Sequence, residues 1–134
     1  MAGTGRAPGL IDTDIVDDAA RQVPEAIVFL ALQRATGGIR VSMITAMELV
    51  SGCRNALELA RLQQFAAQLT FMPVTAAASQ KGYDLMQSFF LSHGLLIPDA
   101  LIAATALVCQ LPLYTRNMRH FRMIPALVVA TPYY

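Results

Sequence analysis

Residues 9–16 read GLIDTDIV, a short apolar run that closes on Asp12 and Asp14. Gly9 to Asp12 is expected to be a first strand, because a continuous apolar run of this length suits a strand buried on both faces. Four more short apolar runs follow downstream: Ile39–Met43, Phe71–Val74, Leu111–Tyr114 and Ala126–Ala130. Between them lie helical stretches. One is expected from Asp17 and Asp18 to about Thr36, with Pro24 near its first turns and Gly37-Gly38 as its stop, since carboxylates suit the positive end of a helix. Ile44–Ser51 reads as a short helix stopped by Gly52, and Asn55 caps another through about Leu69. Thr75 opens a long helix toward His93, ended by Gly94. Pro98-Asp99 starts an apolar helix to Gln110, and Asn117–Phe121 is a turn or short helix.

Short apolar strands alternating with helices, without an internal repeat, predict an α/β fold: a three-layer sandwich with a central, mainly parallel sheet flanked by helices. In such sheets ligands bind at the carboxyl ends of the strands. The chain has 134 residues, a length for one domain; residues 1–8 read as a flexible N-terminal tail and 9–134 as the domain. With 55% hydrophobic residues and a net charge of +1, disorder is excluded and no global attraction for polyanions or membranes arises. No stretch reads as a membrane span: Ala100–Thr115 is short and broken by Gln110 and Pro112, and Leu62–Gln80 carries Gln63, Gln64, Gln68 and Pro73. The start lacks the apolar core of a secretion signal, and Cys53 and Cys109 have no metal or redox spacing, so a cytoplasmic location is expected. The excess of apolar residues points to a hydrophobic interface with another chain.

Charge placement is the most informative feature. Between Arg40 and Arg54 the only charged residue is Glu48, and between Asp84 and Arg116 the only one is Asp99. Carboxylates in apolar surroundings need a partner, because desolvating a charge costs several kcal/mol. No Lys or Arg is near Glu48 or Asp99 in sequence, whereas a divalent cation would draw several carboxylates into one site. Each acid also has a local reading: Asp12 as a turn residue, Glu48 as a capping-box partner of Thr45, Asp99 as a helix N-cap. Taken together they fall near the ends of expected strands, which favours a shared acidic pocket.

Four blocks, GLIDTDIV, SMITAMELVSG, IPDALIAATAL and LYTRNMRHFRMIPAL, resemble the motif blocks of PIN-domain ribonucleases, above all the VapC toxins of bacterial toxin–antitoxin pairs. The likeness spans residues 9–129 in the family's order. It implies a PIN-like fold and a metal-dependent endoribonuclease, the toxin of a VapBC-type pair, whose metal-binding acids fall on Asp12, Glu48 and Asp99 and whose more variable polar member falls on Asn117. Three positions depart from the family pattern: Asp14 stands where Asn is common, His120 where an acid is frequent, and Ala126 where Gly is usual. A neutral Asn117 beside His120 removes negative charge and weakens the case for a second metal.

Under this reading Asp12 and Asp99 hold Mg²⁺ or Mn²⁺, hard cations that prefer oxygen. Glu48 ligates a second ion or orients the attacking water, and Asn117 bonds a water or a phosphate oxygen. Arg116, Arg119 and Arg122, with His120 among them, form the only dense basic run and are candidates for RNA phosphate contacts or an ordinary solvated turn. The partners implied are an RNA substrate, a VapB-type antitoxin and a second copy of the chain, with no membrane. The groove between the Asn55–Leu69 and Thr75–His93 helices is the expected antitoxin seat. Two rival readings remain: an inactive PIN-like module that binds RNA or antitoxin, and a haloacid-dehalogenase-like phosphatase using Asp12 and Asp14. The second needs a lysine, and Lys81 is the only one.

Overall fold

The computed structural model describes residues 7–132. Five strands, β1 (Leu10–Ile11), β2 (Ile39–Ser42), β3 (Leu69–Met72), β4 (Leu113–Tyr114) and β5 (Val129–Ala130), form one sheet in the order β3-β2-β1-β4-β5. Every pairing is parallel. Six α-helices surround it: α1 (Thr13–Ala20), α2 (Pro24–Arg34), α3 (Met43–Ser51), α4 (Ala56–Ala66), α5 (Ala76–His93) and α6 (Ile97–Cys109). The expected three-layer α/β sandwich is what forms. The strands β2 and β3 extend the sheet to one side of β1, and β4 and β5 extend it to the other. The crevice where the two directions part lies beyond the carboxyl ends of β1 and β4.

Alternating side chains of the strands feed the two faces. Leu10 and Leu113 pack on one side with Ala78, Leu85, Ala103 and Phe121, beneath α5 and α6. Ile11 and Tyr114 pack on the other with Ile15, Phe29, Leu30 and Val41, beneath α1 and α2. Phe29 meets the Tyr114 ring edge-on at 5.0 Å. Gly82 lets α5 and α6 approach closely, since a Cβ there would fall 2.8 Å from Leu101 Cδ2.

Several expected boundaries move. The single helix expected over 17–36 is two. Asp12 starts α1 five residues early, its carboxylate accepting from the Thr13 amide. The left-handed Gln22 (φ 68°) then turns the chain, and Pro24 keeps Val23 extended before starting α2. Asp14 therefore sits in the first turn of a helix rather than at a strand end. The first two expected strands end earlier, where Asp12 caps α1 and Ser42 caps α3; the third shifts to Leu69–Met72, and the last two begin later, at Leu113 and Val129. Asn55, Thr75 and the left-handed Gly94 cap α4 and α5 as expected, while α4 ends at Ala66, short of Leu69. Residues 1–6 of the expected tail lie outside the described residues. Ala7 is tied down, its carbonyl accepting from the Gln33 side chain (2.8 Å) and the Tyr114 hydroxyl (2.8 Å).

Candidate metal centre

Asp12 leaves β1 at the crevice and is 6% exposed. One carboxylate oxygen accepts from the Thr13 amide (2.8 Å), the other from the Thr115 hydroxyl (2.8 Å). Thr115 is itself fixed: its amide bonds the Ala130 carbonyl (3.0 Å), and its hydroxyl accepts from the Asn117 amide (3.0 Å). The donors run in series, Asn117 N–H to Thr115 O–H to Asp12, and each polarises the next. Asp14, in the first turn of α1, presents Oδ2 to the Arg116 amide (2.9 Å) and the Asn117 side-chain amide (3.2 Å).

Glu48 reaches the same end of the sheet from α3. Its Oε1 accepts from the Thr13 hydroxyl (2.6 Å), which also lies 2.9 Å from the hydroxyl of the buried Thr45. The local readings of Glu48 and Asp99 do not hold. Ser42, not Thr45, caps α3, so no capping box forms around Glu48. Leu96 is the N-cap of α6, which places Asp99 inside its first turn with no capping bond. Asp99 faces His120, whose Nδ1 is 3.6 Å away. Asp12 does act as a cap, in addition to its bond with Thr115.

Burial is the main force on these carboxyls. It pushes Asp12 up to about 7, helped by the neighbouring charge of Asp14. Asp14 is raised by burial against the pull of the Arg116 amide and guanidinium. Asp99 is raised by burial, with His120 opposing and Glu48 and Asp14 adding to the rise. Side chains 12, 14, 48 and 99 thus share one electrostatic site. Among the described residues no three acid, His or Cys side chains close to within one ion's reach. Like charges in a desolvated cup repel, and a cation relieves that repulsion. The all-oxygen donor set, the raised carboxyls and a buried, unpaired Asp14 oxygen fit a hard divalent ion.

The basic run is divided. The Arg116 Nε lies 3.0 Å from Asp18 and 3.9 Å from Asp14, so it turns back onto α1. Arg119, Arg122 and His120 are exposed, around a buried Phe121. The expected seat between α4 and α5 is not what forms: α4 packs on α3, and α5 on α6. A groove of about 1010 Å³ instead runs from Thr13, Asp14 and Glu48 along α1, α3 and α4 to Arg54 and Phe65. Lys81 is exposed on α5, and the donors to Asp12 and Asp14 come from Thr13, Thr115, Arg116 and Asn117 instead.

The PIN domain family matches residues 10–126. The chain belongs to that family. This PIN domain is 40% identical over 120 residues to Ribonuclease VapC19 of Mycobacterium tuberculosis, across 88% of the chain and 95% of the relative. Its fold is similar to that of a toxin–antitoxin complex from Klebsiella pneumoniae (TM-score 0.75, 30% identity, 93% of this chain and 98% of that one). It is also similar to VapBC2 from Rickettsia felis bound to a promoter DNA fragment (TM-score 0.77, 25% identity, 91% and 96%). Sequence reasoning passed over Thr13, Thr115 and the part played by Asp14 in this PIN domain. Thr13 and Asp14 adjoin Asp12 in the first motif and were open to notice; nothing in the sequence marks Thr115 as a partner of a residue 103 positions earlier.

Proposed function

We propose that this chain is a divalent-metal-dependent endoribonuclease and the toxin of a VapBC-type pair, acting in the cytoplasm through the single domain 9–134. The observation that carries the reading is the grouping of Asp12, Asp14, Glu48 and Asp99 at the crevice between β1 and β4, with burial raising three of them. Descent from a family whose relatives include a named ribonuclease supports the same reaction class. Asp12, Glu48 and Asp99 are the proposed ligands, and Mg²⁺ or Mn²⁺ held by them supplies acidification of a water and neutralisation of phosphate charge.

The chain's own groups do the rest. Asp12 is immobilised by Thr13 and Thr115, so its oxygens are preset rather than ordered at each turnover. The Thr13 hydroxyl occupies Glu48 Oε1 and leaves Oε2 to accept a hydrogen bond from the attacking water. Asn117 donates to Asp14 through Nδ2 and keeps its side-chain oxygen for a water at the site. Arg119 and Arg122, exposed beyond the cup, suit backbone phosphates, contacts that hold RNA without reading its sequence.

Partners follow from the surface. The apolar Met47, Val50 and Leu57 on α3 and α4, and Tyr83, Phe90 and Leu91 on α5, are all more than half exposed. An antitoxin of the VapB kind and a second copy of the chain are the proposed occupants of these faces, in line with the toxin–antitoxin assemblies among the structural neighbours. Among the described residues no helix is long and apolar enough to cross a membrane. Asp99→Asn in an RNA-cleavage assay tests the reaction. Cleavage should fall by on the order of 10²–10³ with the fold intact, and EDTA should silence the wild type; full activity in either case removes the proposal.

A further inference from the structure

Asp14 carries an oxygen that the fold buries and leaves unmatched. Its side chain is 13% exposed, and Oδ1 is wholly buried without a hydrogen-bond partner. The Ile15 amide, which is close to this carboxyl, is spent on the Asp12 carbonyl (3.2 Å). The other oxygen is crowded. Oδ2 accepts from the Arg116 amide at 2.9 Å, from Asn117 Nδ2 at 3.2 Å and from Thr115 Oγ1 at 3.4 Å. The Arg116 guanidinium also approaches Oδ2, at 3.9 Å, and pairs more closely with Asp18 at 3.0 Å. The carboxylate is therefore held by one oxygen, with the second desolvated and unpaired. A buried polar atom of this kind in a native structure calls for an ion or water that satisfies it.

The setting says which. Thr115 touches Asp12 and Asp14 with the same hydroxyl, so both carboxylates are registered against one donor. The charge of Asp14 is felt at Asp12 and at Asp99, which come from different elements of the cup. Asn117 and His120, the polar residues that close the cup from the β4 side, bring no negative charge. We propose that Asp14 is a fourth acidic ligand of the metal centre, acting through Oδ1 and supplying the charge that Asn117 does not. This rests on the metal-dependent ribonuclease reading. It assigns Asp14 and Asn117 a paired role: the acid stands at 14 and the amide at 117, joined by their own hydrogen bond.

Calorimetry of Mn²⁺ binding to the full chain tests the assignment, with melting temperature read alongside. Asp14→Asn keeps the size of the side chain and an oxygen for the Arg116 amide while removing the charge. It should weaken Mn²⁺ binding roughly tenfold or more, or remove one bound equivalent. The paired Asp14→Asn/Asn117→Asp change returns the charge across the same hydrogen bond and should regain most of the loss. Should Asp14→Asn fail to fold, Asp14→Ser, which removes Oδ1 outright, is read the same way. Unchanged Mn²⁺ binding overturns the proposal. So does a loss that adding Arg116→Gln cancels, which would assign the effect to a freed guanidinium. The underlying reading fails separately: a wild type that binds no Mn²⁺ and cleaves RNA in EDTA removes both. Binding that Asp99→Asn abolishes and Asp14→Asn leaves intact removes only the fourth ligand.

Discussion

The two halves of the acidic cup are held in different ways. Asp12 and Asp14 are gripped by donors from the chain after β4, Thr115, Arg116 and Asn117, which β5 fixes in turn through the Thr115 amide. Glu48 and Asp99 each hang from one side chain, Thr13 at 2.6 Å and His120 at 3.6 Å. The first half is buried and preset by strand pairing. The second is more exposed and is anchored from helices α3 and α6. A site that must close on an ion gains from this division: the rigid half defines the position, and the looser half completes it.

The sharpest way to expose the difference is pH. Asp12 has a folded-state value near 7, far above that of an unfolded carboxyl, so the folded chain holds a proton there that the unfolded chain has released. The stabilisation is full below about pH 4 and is lost as pH rises through about 7. In EDTA, the unfolding free energy should fall between about pH 4 and pH 7, by up to about 4 kcal/mol. Added Mn²⁺ should flatten that fall. An unfolding free energy that rises over this range would mean that Asp12 is not the buried, preset member.

Thr115→Val strikes the gripped half next. It strands the Asp12 oxygen and the Asn117 amide together, and should cost about 1–3 kcal/mol in urea denaturation as well as activity. Thr13→Val strikes the hanging half. Glu48 is partly exposed and finds water instead, so stability should change by about 1 kcal/mol or less, while cleavage falls and Thr13→Ser recovers it. Equal stability losses for the two valines would erase the distinction between the halves.

Much of this was legible in the chain. The alternation of short apolar runs with capped helices gave the sandwich, because a strand buried on both faces has to be continuously apolar. Asn55, Thr75 and Gly94 announced their helix ends by side-chain and backbone chemistry confined to a few residues. Glu48 and Asp99 stood out because each is a lone charge in an apolar run. The break at Gln22 was less visible: glutamine carries no turn signal, and its left-handed backbone is imposed by the packing of α1 and α2 on the same face. The groove beside α4 was misplaced for a related reason, since which helix packs on which is decided by sheet order.

The sequence by itself determined the order of strands and helices, the caps at Asn55, Thr75 and Gly94, and the identity of the acids, since those depend on interactions within a turn or two of the chain. Only the folded structure decided that a hydroxyl at 115 would hold a carboxylate at 12, and that Asp14 and Asn117 would share a bond. Those pairings depend on β1 lying beside β4, and strand order is settled by the whole core at once rather than by any local run of residues.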